Sequence, residues 1–452
     1  MPAGALGWTD LEVTTPNGSA TLPRSVFYAQ SVTEYKSGAA FTALLYDSAR
    51  NRVYLSAGNR IDVFSTTSHQ FLAPISPAAV GSKKQFAGMA LTPDGSQLLA
   101  TDLADGSLAV VNLEHPTSTF AIPVAPVTAL GQYCTVGPVY VAASSDGQAF
   151  VTTGSTPSYW CTPQGETYVV NLATHAVAPS PCSSGFAVDA SADGGLVAIG
   201  GGSCVYSAQT ASYTADPFPT IPDTTLYYFG IAISGDGNIV GQFPYLDDTT
   251  GDLLGSLAFP YPYYPNHNGY TSGVVPPQPL YYPRLNAAGS LYYAAYPNSF
   301  EIYDVMHGLL RMRFGLEQTV NNTVAPMAID SGGRYVYLIT TKGLTEVDLG
   351  SAPLSIGHVS EQSAAPGVQI QVRGSGFEGG MTATVGKKNA AVRVIDENTL
   401  TLTVPEAAPG PQGHCAHPLR WRDLHSRERH PGSVSPAKSL RSRIYSNCCL
   451  GM

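Results

Sequence analysis

Thr92-Pro-Asp-Gly-Ser-Gln-Leu-Leu-Ala-Thr101 decides how this chain reads. Asp-Gly is a tight turn that supplies a positive φ, and the apolar run after it has strand composition. The same arrangement returns at Ser144-Ser-Asp-Gly-Gln148, Ser191-Ala-Asp-Gly-Gly195 and Ser234-Gly-Asp-Gly-Asn238. Looser copies stand at Asn286-Ala-Ala-Gly-Ser290, Asp330-Ser-Gly-Gly-Arg334 and Asp47-Ser-Ala-Arg-Asn51. The position of Asp94 falls at 49, 94, 146, 193, 236, 288 and 332, a mean spacing near 47 residues. One such turn means little; seven in register define a repeat.

Working outward, each turn follows a small apolar strand, as in Phe86-Ala-Gly-Met-Ala-Leu91 and Gly230-Ile-Ala-Ile-Ser234. A third, amphipathic strand is expected at Gly106-Ser-Leu-Ala-Val-Val-Asn112, Gly165-Glu-Thr-Tyr-Val-Val-Asn171 and Ser299-Phe-Glu-Ile-Tyr-Asp304. The period suits a propeller blade of four antiparallel strands, with small residues near the crowded axis. Thr92–Thr101, Arg52-Val-Tyr-Leu55 and Gly332-Gly-Arg-Tyr-Val-Tyr-Leu338 resemble the repeats of YVTN/YncE-like seven-bladed propellers. That resemblance spans about residues 35–350 and covers both binding modules and a few enzymes, so it implies a fold more than an activity.

Beyond Ala352 the texture changes. Ser363-Ala-Ala-Pro-Gly-Val-Gln-Ile-Gln-Val-Arg-Gly-Ser-Gly-Phe377 and Asn398-Thr-Leu-Thr-Leu-Thr-Val-Pro405 alternate like strands, and they resemble an IPT/TIG domain, which implies an immunoglobulin-like sandwich. Met1-Pro-Ala-Gly-Ala-Leu-Gly7 aligns with Val404-Pro-Glu-Ala-Ala-Pro-Gly410. Residues 1–28 therefore read as the C-terminal fragment of an earlier TIG-like domain, the alternative being a free hairpin that closes the propeller. The expected order is that fragment at 1–28, a seven-bladed β-propeller at 29–350, an incomplete IPT/TIG-like domain at 351–411, and a tail at 412–452. The tail holds seven Lys/Arg against two acids, four of the ten His and three of the seven Cys, without strand pattern. A one-nucleotide shift restores a strand–Gly–strand reading there, so the tail is expected to be frameshifted and disordered. The whole is all-β: a seven-bladed β-propeller plus a partial immunoglobulin-like β-sandwich.

Composition agrees. Of 452 residues only 12% are charged, while Gly (46), Pro (35) and Tyr (26) are abundant, which favours short strands and turns over salt-bridged helices. The net charge of −9 argues against a nucleic-acid partner. No run of 18 apolar residues encodes a transmembrane segment. No secretory signal opens the chain, so one is expected upstream.

Cys134 and Cys161 occupy the same places in one repeat as Cys182 and Cys204 in the next, on one face of a propeller. Their separations of 27 and 22 residues do not resemble a zinc site, so the pairs Cys134–Cys161 and Cys182–Cys204 are expected as disulfides, with buried thiols as the alternative. Disulfides point to an exported protein, extracellular, cell-surface or periplasmic. The histidines lack paired spacing, Asp247-Asp-Thr-Thr-Gly-Asp252 lacks the pattern of a calcium loop, and no nucleophile elbow or zincin signature occurs, so no metal and no cofactor are expected. Residues 227–303 hold 13 of the 26 tyrosines, among them Tyr261, Tyr263 and Tyr264 between three prolines. Stiffly presented tyrosines suit a carbohydrate or protein ligand, and outer-strand packing is the competing reading. Inner strands are nearly free of acids and bases, with Asp189 and Arg284 as exceptions. The sequence reads as a non-catalytic exported binding protein, alternatively a propeller hydrolase or lactonase working in the central channel with Arg284. An intracellular scaffold is disfavoured by the cysteine pairs.

Overall fold

The computed structural model describes residues 7–16, 18–29, 31–130, 134–155, 165–182, 187–200, 204–215, 230–242, 245–248, 253–256, 283–321, 323–360, 364–386, 388–406 and 448–451. The chain is all-β across them.

Each repeat turn joins the first two strands of one antiparallel meander. Sheet one is Ala43–Asp47, Arg52–Ala57, Arg60–Ser65 and Gln70–Phe71. Sheet two is Phe86–Leu91, Gln97–Asp102, Ser107–Asn112 and Thr119–Pro123. Sheet three adds Thr128–Leu130 in front of Cys134–Ala143, Gln148–Ser155, Thr167–Asn171 and Val177–Pro179. Sheet four is Val188–Ala190, Leu196–Ile199, Cys204–Ser207 and Ser212–Ala215, and sheet five is Ala232–Ile233, Ile239–Gln242, Tyr245–Asp248 and Leu253–Ser256. Sheet six is Arg284–Leu285, Leu291–Tyr296, Ser299–Asp304 and Leu309–Gly315. Sheet seven takes Met327–Ile329, Tyr335–Thr340 and Gly343–Asp348 from the end of the series, and its outer strand, Ser31–Lys36, from before sheet one.

The strands that lead into the turns touch one another in order, from Ala43–Asp47 through Phe86–Leu91, Cys134–Ala143, Val188–Ala190, Ala232–Ile233, Arg284–Leu285 and Met327–Ile329, and back to Ala43–Asp47. The ring is closed, and the arrangement is a β-propeller. Where the last sheet meets the first, Leu44 N donates to Ala325 O (3.0 Å). Small residues permit the inner approach: a Cβ on Gly88 would stand 2.3 Å from Val139 O of the next sheet. Ala87, Ala100, Ala109, Ala187 and Ala198 are buried in the same central cluster.

The turns share one bonding scheme. Thr92, Ser144, Ser191 and Ser234 each donate a hydroxyl to the acid two residues on, at 2.6, 2.5, 2.7 and 2.7 Å. The same hydroxyl accepts the amide five residues on in Gln97, Leu196 and Ile239, at 3.0 Å each. In sheet six Asn286 Oδ1 accepts the amides of Ser290 and Leu291, and in sheet seven Asp330 Oδ1 accepts that of Tyr335 (2.8 Å). The glycine of the turn has φ between 65° and 80° in Gly95, Gly147, Gly194, Gly237, Gly289 and Gly333, which explains its recurrence. The degenerate first copy reaches the left-handed region with Asn51, at 51°. Backbone bonds run from turn to turn, Ser145 N to Gly194 O, Ala192 N to Gly235 O and Asp236 N to Ala287 O, each 2.9 Å.

Two of the third strands correct one expectation, while Thr167–Asn171 is buried at only two of its five positions. Ser107–Asn112 is buried at five of its six positions and Ser299–Asp304 at four, so these strands are not amphipathic. Neighbouring sheets cover both of their faces. A further set of strands follows the ring, in the order Ser355–Val359, Gln369–Ser375, Thr399–Thr403, Lys388–Asp396, Thr382–Val385 and Cys448–Gly451, around Ile370, Val372, Phe377, Ala383, Leu400 and Leu402. No strand is expected beyond residue 411, yet Cys448–Gly451 pairs with the open edge of Thr382–Val385. This unit meets the turns of sheets six and seven: Ser290 Oγ and Ser355 Oγ are 2.5 Å apart, and Ser331 Oγ is 3.4 Å from Glu397 Oε1. Gly7–Thr15 and Gly18–Tyr28 form a two-stranded hairpin.

Candidate binding face and central channel

Strand direction sorts the loops. The repeat turns, and the links from third to fourth strands, lie on one face. The links from second to third strands, and those that pass from sheet to sheet, lie on the other. The strand ends that bound the longest intervals of chain, Ser155 to Thr167 and Ser256 to Arg284, open on that second face. Cys182 and Cys204 form a disulfide there, with Cα atoms 6.2 Å apart, at the start of the third strand of sheet four. Cys134 begins a strand of sheet three, but its side chain and Cys161 lie outside the described residues, as do Tyr261, Tyr263 and Tyr264. Among the tyrosines of the cluster that are described, Tyr292, Tyr293, Tyr296 and Tyr303 are buried, which favours packing for those four.

Arg284 opens the inner strand of sheet six and is half-buried. Asp189 stands in the middle of the inner strand of sheet four, at the same distance from the repeat turn as Arg284. Its Oδ2 accepts the amide of Ile233 (3.1 Å), which ties sheet four to sheet five across the channel wall. Burial pushes the Asp189 carboxyl above its ordinary range, and the Arg284 charge offsets only part of that. The structure thus brings these two residues into one electrostatic neighbourhood at the loop-bearing end of the channel.

A second acid organises this face in sheet two. Asp102 is fully buried, and its Oδ1 accepts the amides of Gln85 (2.9 Å) and Ala104 (3.0 Å), while Oδ2 has no partner. Burial raises its carboxyl despite those bonds. Asp105 beside it accepts Gly81 N (2.8 Å) and Ser107 Oγ (2.5 Å), so the two acids pin the preceding loop. Sequence reasoning did not single out Asp102, and the only available signal was an acid closing an otherwise apolar strand. Among the described residues no three His, Cys, Asp or Glu side chains are placed to hold a metal ion, and no helix is long and apolar enough to cross a membrane. His307 is taken up by Asp304 (3.0 Å). His69 contacts Tyr35 (3.0 Å) and Glu346 (3.4 Å) where the ring closes.

The chain matches no protein-family model and no curated protein. Among solved structures, it is similar to Kuenenia stuttgartiensis hydrazine synthase at 12% identity and TM-score 0.48, over 71% of this chain and 99% of that one. It is also similar to the Myceliophteria thermophila Cps50 (Swd1) beta-propeller domain at 10% identity and TM-score 0.49, over 70% of this chain and 98% of that one.

Proposed function

We propose that the chain is a non-catalytic, exported or cell-surface binding protein. In this reading each of the sheets is one blade of a seven-bladed, YVTN/YncE-like propeller, the strands after residue 354 belong to an IPT/TIG-like domain, and the loop-bearing face engages a polysaccharide or protein partner. The observation that carries it is the Cys182–Cys204 disulfide, which supports an oxidising compartment and stiffens the face on which the long connections emerge. The channel supports the same reading, because Asp189 is already committed to the backbone of sheet five. The contact residues proposed are Tyr261, Tyr263 and Tyr264, whose flanking prolines lower the entropy lost on presenting the rings.

A glycan array probed with the full chain tests the proposal. Replacing the three tyrosines by Ala should abolish binding and leave the melting temperature nearly unchanged; a collapse of stability would instead make them packing residues. A second reading, a hydrolase or lactonase, draws on the raised Asp189 carboxyl beside Arg284. Turnover of a lactone panel by the wild type, lost in Arg284→Ala, would favour that reading over ours.

A further inference from the structure

The closing strand of the ring carries an unusual arrangement. Ser31–Lys36 lies antiparallel to Gly343–Asp348, with Thr33 opposite Glu346 and Tyr35 opposite Leu344. On the other side of the same strand Glu346 stands opposite Tyr337. Glu346 is 3% exposed, and its Oε2 has no hydrogen-bond partner. Its Oε1 is 3.4 Å from Nδ1 of His69, and the Tyr35 hydroxyl is 3.0 Å from the same nitrogen. His69 belongs to sheet one, in the link before the outer strand Gln70–Phe71, and holds a left-handed φ of 52°. One imidazole therefore joins the N-terminal strand, the last sheet and the first.

The other charged and titratable groups around Glu346 are accounted for. Asp348 on the same strand adds negative charge but is held by Arg334 at 2.8 and 2.9 Å. Glu34 of the closing strand accepts a bond from the Gln318 amide. Tyr35, Tyr335 and Tyr337 feel the Glu346 charge, and all three hydroxyls are pushed above their usual range, with burial as the first cause, so they stay neutral donors.

We infer that His69 and Glu346 form a proton-operated latch on ring closure: protonation of the imidazole secures the N-terminal strand, and its loss leaves a buried carboxylate facing neutral hydroxyls and the negative charge of Asp348. Two features beyond the pairing distance support it. The carboxylate has an orphan oxygen, so it has little else to offset desolvation once the imidazole is neutral. Burial raises the Glu346 carboxyl, and the neighbouring His69 acts against that rise.

Amide hydrogen exchange of the full chain, corrected for intrinsic rates, tests the latch. Protection of the amides in 31–36 should be about tenfold greater at about pH 5.5 than at about pH 8, while the outer strand of sheet two, 119–123, stays constant. His69→Asn, which tolerates the left-handed backbone, should remove the pH dependence. Glu346→Gln should remove it too while keeping the strand protected at both pH values. A wild-type strand with no pH dependence overturns the inference. So does a dependence that survives in Glu346→Gln, which also decides the matter if the His69 variant does not fold.

Discussion

Leu98 and Leu99 in sheet two hold the positions that Tyr292 and Tyr293 hold in sheet six, counted from the shared turn, and all four are fully buried. One strand further out, Ala109 corresponds to Glu301 and Val111 to Tyr303, again buried in both sheets. Sheet two is closed by aliphatic packing, with Thr101 Oγ1 donating to Val139 O of the next sheet (3.0 Å). Sheet six is closed by a polar network. Tyr303 donates to the Glu301 carboxylate, Arg313 Nε reaches it at 2.5 Å, and Tyr293 Oη donates to Gly333 O in the turn of sheet seven (3.1 Å). The same repeat thus accepts two kinds of filling. Aliphatic filling needs only volume. Tyrosine and glutamate filling needs every partner present, because a buried hydroxyl or carboxylate without one costs more than a methyl group that is merely loose.

Truncation should separate the two sheets most strongly. Tyr293→Ala removes a large ring and its bond to sheet seven, with an expected loss of about 4 kcal/mol against about 3 kcal/mol for Leu99→Ala, read from urea midpoints. Equal losses would mean that the hydroxyl contributes nothing. Sheet four offers a covalent contrast: reduction of Cys182–Cys204 opens a loop of 22 residues and should cost about 3 kcal/mol in the chain-entropy model, with exchange protection falling in sheet four before sheets two and six. Glu301→Ala strands part of the network and should cost about 2–3 kcal/mol. Glu301→Gln should recover most of it, and a silent Glu301→Ala would sink the polar account of sheet six.

The smallest effect concerns acids in equivalent turns. Hydrogen bonds from Thr92 and Ser96 hold the Asp94 carboxyl below its ordinary range, so its contribution is present at neutral pH and fades as pH falls. Burial pushes Asp330 the opposite way, to about 6, with Glu397 adding to the shift. Its contribution is complete below the unfolded value near 4 and is lost as pH rises through about 6. Asp330→Asn should therefore raise the melting temperature slightly at about pH 8, by the equivalent of about 1 kcal/mol, and leave it unchanged at about pH 4. An increase at both pH values would assign the effect to packing.

The ring was legible because its turns are local. Ser/Thr-x-Asp-Gly carries its hydroxyl, acceptor and positive φ within a few residues, so position 94 and its repeats at 146, 193 and 236 could be read directly. Ser31–Lys36 was not legible as the outer strand of sheet seven, because its partner lies some 300 residues away and nothing in Ser-Val-Thr-Glu-Tyr-Lys names it. Glu301 was equally hidden: in Ser299-Phe-Glu-Ile-Tyr-Asp304 it reads as a solvent-facing acid, yet it is buried with Tyr303 and Arg313 as partners, the latter a strand away. Of the candidate site, Asp189 and Arg284 could be found as charges on apolar inner strands. The role of Asp189 as a tie to Ile233 could not, since it depends on a neighbour 44 residues on.

The pairing of Ser31–Lys36 with Gly343–Asp348 also sets an order of events during synthesis. The first strand of the ring leaves the ribosome early and has no partner until residues 343–348 follow. At about 5–20 residues per second that is a wait of roughly 15–60 s. During that interval sheets one to six can form in sequence, each from its own local meander, while the early strand presents an unpaired edge of the kind that invites association. The charged residues in the second half of that strand, Glu34 and Lys36, are placed to discourage such pairing until the nascent chain delivers its proper neighbour.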